Sequence, residues 1–216
     1  MATAKEQALS EEPYQITMDK LLSPEQVEAL LNTCKRLAKL DLASGRKVWV
    51  VRYLMVHLAC GSGLRACEIA WLRVADFHRQ EGGALLSVRR PKGRSHRVVQ
   101  VGPKLADHIS EHLQVKRMTW GEACDPQELI LPGRGAKPYT TAALCCSFRR
   151  AVEAAKLPGS YSLRNARHSY STFLLAKTDD LRYVQRQLGH ANQSMTVLYR
   201  DVAPKINYGL AGDLIW

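Results

Sequence analysis

The sequence has no CxxC pair and no histidine cluster at zinc-ligand spacing, although it carries six cysteines: Cys34, Cys60, Cys67, Cys124, Cys145 and Cys146. No metal site is therefore expected, and the thiols are expected to be reduced and mostly buried. Uninterrupted apolar runs fall far short of the roughly 18 residues that a membrane span needs. The first residues, with Lys5, Glu6, Glu11 and Glu12, lack the apolar core of a signal peptide. Together these two absences give a cytoplasmic expectation. Internal repeats and low-complexity segments are missing too. Acid is scarce: 20 Asp and Glu stand against 31 Lys and Arg in 216 residues, a formal net charge of +11. An excess of that size points to a polyanionic partner. With 46% apolar and 24% charged residues, the chain can bury a core, which excludes a disordered basic tail.

The charge is uneven. Residues 1–44 carry net −2 and residues 45–216 net +13, so the basic character belongs to the body. Residues 1–20 show weak periodicity and read as a flexible leader or arm. Ser23, Pro24 and Glu25 then supply an N-cap, a first-turn proline and a first-turn acid, and Val27, Leu30, Leu31, Leu37 and Leu40 recur at helical spacing. A second helix is predicted from Val48 to Leu58, stopping at Gly61 and Gly63, and a third from Arg65 to Leu72. Ala84 to Arg90 and His96 to Val101 alternate as strands, predicting a hairpin with a basic tip. Helical patterns return over 105–118, 141–156, 165–176 and 181–188. The expected fold is mainly α with a small antiparallel β-sheet, an α+β domain over 21–216 that includes a C-terminal tail, 200–216.

Three segments carry chemistry. In the first, Arg65 leaves a glycine turn and enters a helix, with Glu68 one turn later able to hold it. In the second, Arg89, Arg90, Lys92, Arg94 and Arg97 crowd the hairpin tip, which suits a row of phosphates as well as a solvated turn. In the third, Arg164, Arg167 and His168 fall at i, i+3 and i+4 on one helical face, opposite an apolar stripe of Ala166, Tyr170, Phe173 and Leu174. Gly189 and His190 close the next helix, and Tyr199 follows nine residues later.

The ordered segments GLRACEI at 63–69, PKGRSHRVV at 91–99, RNARHSYST at 164–172 and LGHANQSMTVLY at 188–199 resemble the signatures of the tyrosine recombinases, also called the phage integrase family. The resemblance runs from about Leu21 to Trp216, and SPEQVEALL at 23–31 is similar to the usual opening of the catalytic domain. It implies a site-specific recombinase that cleaves and rejoins double-stranded DNA through a 3′-phosphotyrosyl link, in integration, excision or inversion. Tyr199 would attack the phosphate, and Arg65 and Arg167 would clamp its oxygens. Lys92 would protonate the leaving 5′-oxygen, and His190 would hydrogen-bond a phosphate oxygen. Glu68 would orient Arg65, while Arg89, Arg90, Arg94 and Arg97 would contact DNA. No cofactor is implied, because the covalent link conserves the bond energy for rejoining.

This sequence departs from the family pattern at Arg164, where most members place histidine or lysine. Arginine, with a pKa above about 12, is no general base. Ionising a phenol of pKa near 10 at neutral pH costs on the order of 4 kcal/mol. Either the cation density of Arg164, Arg167 and Arg65 lowers that cost, or His168, in the family usually a supporting residue, takes the proton. Length is the other departure, since relatives carry a helical core-binding domain ahead of the catalytic one. A natural single-domain enzyme and a truncation both fit, and half a clamp predicts salt-sensitive DNA binding. The apolar ending, Ile206 to Trp216, is expected to cover its own core or to link protomers on DNA, as dimer or tetramer. Type IB topoisomerase-like relaxation and a non-catalytic DNA-binding regulator remain open alternatives.

Overall fold

The computed structural model describes residues 16–89, 96–190, 194–200 and 202–203. Helix α1 (Pro24–Ala43) begins at a capping box. The Gln26 N–H donates to Ser23 Oγ, and the Ser23 N–H donates to Gln26 Oε1 at 2.8 Å, so two of the orphan donors of the first turn are satisfied. Helix α2 (Val48–Gly61) is apolar on nearly every side, and Leu54, Met55, Val56, Leu58 and Ala59 are all buried. Such a helix belongs at the centre of a core. It packs along α1 and also meets α4 (Pro103–Met118), α5 (Thr141–Ala154) and α6 (Leu163–Thr178).

Between α3 (Ala66–Trp71) and α4 lies a three-stranded antiparallel sheet in the order β1 (Phe77–Gln80), β2 (Gly83–Arg89), β3 (His96–Val101). Phe77 pairs with Leu86, Ala84 with Val101, and Arg89 with His96. The β2 and β3 hairpin matches expectation. Strand β1 was not foreseen, because three of its four residues are exposed and polar, so it lacks apolar alternation and exists by pairing with β2. Helices α7 (Leu181–Leu188) and α8 (Ser194–Val197) complete the described chain.

Of the segment 1–20 expected as a leader, residues 16–20 are described. Ile16 is buried, Met18–Lys20 forms a 3₁₀ turn, and the Asn165 side chain donates to the Lys20 carbonyl at 2.7 Å. The Leu22 N–H donates to Ser169 Oγ at 2.8 Å. The entry to α1 is thus stitched to α6. Of the tail, Val202 and Ala203 join the core, and residues 204–216 lie outside the described residues.

The cysteine expectation needs correction. All six are free, but only Cys34 and Cys60 are buried, while Cys67 and Cys146 are exposed. These last two fall on the outer faces of α3 and α5, where a small thiol costs little. The core also holds a polar pair, His57 and His108, whose Nδ1 atoms lie 2.9 Å apart. One ring must donate and the other accept, and burial holds both well below the usual imidazole range.

Gly63 sits at φ +62°, and a Cβ there would stand 2.4 Å from Tyr170 Cδ1. The turn between α2 and α3 therefore presses its backbone onto the buried Tyr170 ring of α6. Gly63→Ala is expected to destabilise the fold by roughly 3 kcal/mol or more, through left-handed strain and overpacking together. Coincident denaturant midpoints for variant and parent would contradict this packing.

Candidate active site

Arg65 is the N-cap of α3, and its backbone N–H donates to Glu68 Oε2 at 2.8 Å. Its guanidinium reaches Glu68 Oε1 at 3.2 Å, leaving the side chain 36% exposed. Glu68 itself is buried. Arg97 of β3 meets it with two hydrogen bonds, Nη1 to Oε1 at 2.6 Å and Nη2 to Oε2 at 2.8 Å. Its Nε donates to the Gln187 carbonyl at 3.0 Å. Although burial opposes ionisation, the hydrogen bonds and charge of Arg97 and the Arg65 N–H hold the Glu68 carboxyl below its usual range.

Arg167 is buried on α6. Its Nη1 donates to the Gly63 carbonyl and its Nη2 to the Leu188 carbonyl at 2.8 Å. Both acceptors are neutral, and among the described residues no carboxylate comes within salt-bridge distance of this guanidinium. Burial, then Arg65, pull its pKa down to about 10, so it stays charged at neutral pH. Three arginines, 65, 97 and 167, thus surround one carboxylate. That surplus favours an oxyanion reaching Arg65 and Arg167.

Tyr199 is 1% exposed. His168 Nδ1 lies 2.9 Å from its hydroxyl, and the two rings are 5.8 Å apart. The His190 ring stacks near it at 6.5 Å and 13°. His190 Nδ1 is 3.0 Å from Thr196 Oγ1, and a hydroxyl donated there places the ring proton on Nε2. Gly189, at φ +62°, caps α7 and turns the chain toward His190. Burial is the main cause that lowers both imidazoles to about 4, followed for His168 by Arg164 and Arg167, and for His190 by Arg167, Arg65 and Arg97.

The structure thus brings together Arg65, Glu68, Arg167, His168, His190 and Tyr199. Arg164 does not share their burial: it lies exposed on α6, acting on His168 through its charge. Lys92, Arg90 and Arg94 lie outside the described residues. Arg89 is exposed, its Nε 3.5 Å from Asp76 Oδ1. Arg97, expected to contact DNA, has a side chain 11% exposed whose fork is engaged by Glu68. A signal for this was in the sequence, since Arg97 shares the inward register of β3 with Val99 and Val101. Gln187 and Thr196 were also missed, being ordinary polar residues whose partners only the fold supplies.

The phage integrase family model matches residues 20–205. The chain belongs to the phage integrase family. Among its relatives in that family, the tyrosine recombinase XerD of Ralstonia nicotianae is 32% identical over 85% of this chain and 56% of its own length. Among solved structures, that of XerA recombinase superposes with a TM-score of 0.70 at 20% identity, covering 89% of this chain and 64% of that one. The XerH site-specific recombinase bound to palindromic difH substrate, a post-cleavage complex, gives 0.72 at 22% identity, covering 88% and 51%. The chain spans a little over half the length of the curated relatives it matches. These structural likenesses show the phage integrase catalytic-domain fold, mainly α with one small antiparallel sheet.

A pH titration of the histidine ring resonances is expected to show His168 and His190 neutral down to about pH 4. Their folded pKa values lie below the unfolded one, so the stability they contribute is full above about pH 6.5 and is lost as pH falls toward 4. Midpoints near 6.5 for both rings would contradict the described burial.

Proposed function

We propose that this chain is a site-specific DNA recombinase domain that cleaves a strand of duplex DNA through Tyr199 and rejoins it. The observation that carries this is the grouping of a buried, histidine-bonded tyrosine with three arginines that one described carboxylate only partly balances. The scissile phosphodiester adds a further negative charge: Arg65 and Arg167 hold its non-bridging oxygens, and His190 donates Nε2–H to one of them. Tyr199 Oη attacks phosphorus, the P–O5′ bond breaks, and a 3′-phosphotyrosyl link forms. Lys92 gives the departing 5′-oxygen its proton.

The phenolic proton passes to His168 Nδ1, the atom 2.9 Å from the hydroxyl. At a pKa of about 4 this ring is a weak base in the free protein. The positive field of Arg164 and Arg167 contributes to that lowering, so a bound phosphate raises the ring's proton affinity as it arrives. Cation density and a discrete base then act in one device, with Arg164 tuning His168. Because Tyr199 is 1% exposed, the phosphate meets it only after the 194–200 segment shifts. The activity needs no metal in this scheme, since the arginines neutralise charge and the covalent link conserves energy for religation.

A pool of nicked duplexes of randomised sequence, incubated with the full chain and resolved under denaturing conditions, tests the reading. A covalent protein–DNA adduct is expected from the parent chain and none from Tyr199→Phe. His168→Ala is expected to slow adduct formation by about 10²-fold or more, the scale of general-base catalysis. Unimpaired cleavage by His168→Ala removes that residue from the chemistry, and absence of any adduct from the parent chain contradicts the proposed function.

A further inference from the structure

Resting on the reading of Arg65 as a phosphate clamp, we infer that Arg97 is a positioning residue of this site, fixing Arg65 through Glu68 and tying the hairpin strand to the histidine turn. Three observations converge on it. First, its fork spans both oxygens of the buried Glu68 carboxylate, at 2.6 and 2.8 Å. That same carboxylate takes the Arg65 backbone N–H and meets the Arg65 guanidinium. Without Arg97, Glu68 would be free to swing onto Arg65 alone and to neutralise the charge that the phosphate requires. Arg97 thus holds the acid back as well as holding it in place.

Second, Arg97 Nε donates to the Gln187 carbonyl, and the side chains around it continue the seam. Gln187 Oε1 accepts the Gln100 N–H of β3 at 3.1 Å, its Nε2 donates to Tyr183 Oη at 2.9 Å, and Tyr183 Oη donates to Gln100 Oε1 at 2.7 Å. Strand β3, which leads out of the hairpin carrying Lys92, is thereby fixed in register against the end of α7. Third, Gly189 lies against Arg97. A Cβ on Gly189 would stand 2.8 Å from Arg97 Cδ and 2.9 Å from its Nη1. The glycine of the LGH segment therefore answers a steric need beyond its left-handed backbone: it leaves room for the arginine at the turn that leads into His190. One side chain sets the relative positions of Arg65, the hairpin strand and His190.

Lysine at 97 would keep the charge but could not span two carboxylate oxygens and a carbonyl at once. The test uses adduct formation at saturating nicked duplex, from the pool described above, together with duplex affinity and thermal unfolding. Arg97→Ala is expected to slow adduct formation on the order of 100-fold, the cost of misplacing a reacting group by about 1 Å, while duplex affinity holds. Arg97→Lys is expected not to restore the rate. In an Arg65→Lys background the further loss on removing Arg97 is expected to shrink, because both changes act on one clamp. Full additivity with Arg65→Lys, a parental rate in Arg97→Ala, or a loss of duplex affinity at unchanged rate would each overturn the inference. Should Arg97→Ala fail to fold, Arg97→Lys carries the same comparison. No adduct from the parent chain would sink the proposed function itself, whereas a parental adduct unaffected at Arg97 sinks this inference alone.

Discussion

One buried carboxylate shared among three arginines is the constraint on which the rest of this structure depends. Glu68 caps α3 through the Arg65 N–H, receives the fork of Arg97 from β3, and lies within the field of Arg167 from α6. Three separate elements are drawn to one point by it. Its single charge cannot satisfy three guanidinium groups, so among the described residues the assembled site is electrostatically incomplete. Proteins rarely leave a buried cation with only neutral acceptors, and among the described residues Arg167 has the carbonyls of Gly63 and Leu188. The deficit makes sense if an oxyanion completes it.

The packing that sustains this arrangement is local and steep. The Gly63 turn presents its carbonyl to Arg167 while its Cα lies against the Tyr170 ring, one helical turn further along α6. The arginine cluster and the core are therefore built from the same few residues. The same economy appears at α7, whose capping glycine both ends the helix and admits Arg97. Close approach of backbone to side chain explains both glycines, where backbone freedom alone would not.

Much of this was legible in the sequence. The Ser23 capping box, the α2 run, the hairpin strands and the α6 and α7 spans follow from capping chemistry and periodicity. Of the motif residues, Arg65, Glu68, Arg167, His168, His190 and Tyr199 lie together in the fold. The failures have physical causes. Strand β1 is an exposed edge with no apolar alternation of its own. Cys67 and Cys146 face outward, although cysteine as a type favours the interior. Arg97 was grouped with the hairpin charges because composition counts a cation without its direction, while the alternation of β3 turns it inward. The partnership of His168 and Tyr199 could not be read from one helix face, because it joins residues 31 apart in sequence.

In the proposed reaction Arg65 and Arg167 receive a phosphate oxyanion. Calorimetric titration of the full chain with inorganic phosphate at low ionic strength tests it most directly. One phosphate per chain is predicted, with affinity reduced by at least about tenfold in Arg65→Ala, the loss of one charge-assisted hydrogen-bonding group. Phosphate binding unchanged by that substitution would contradict the account.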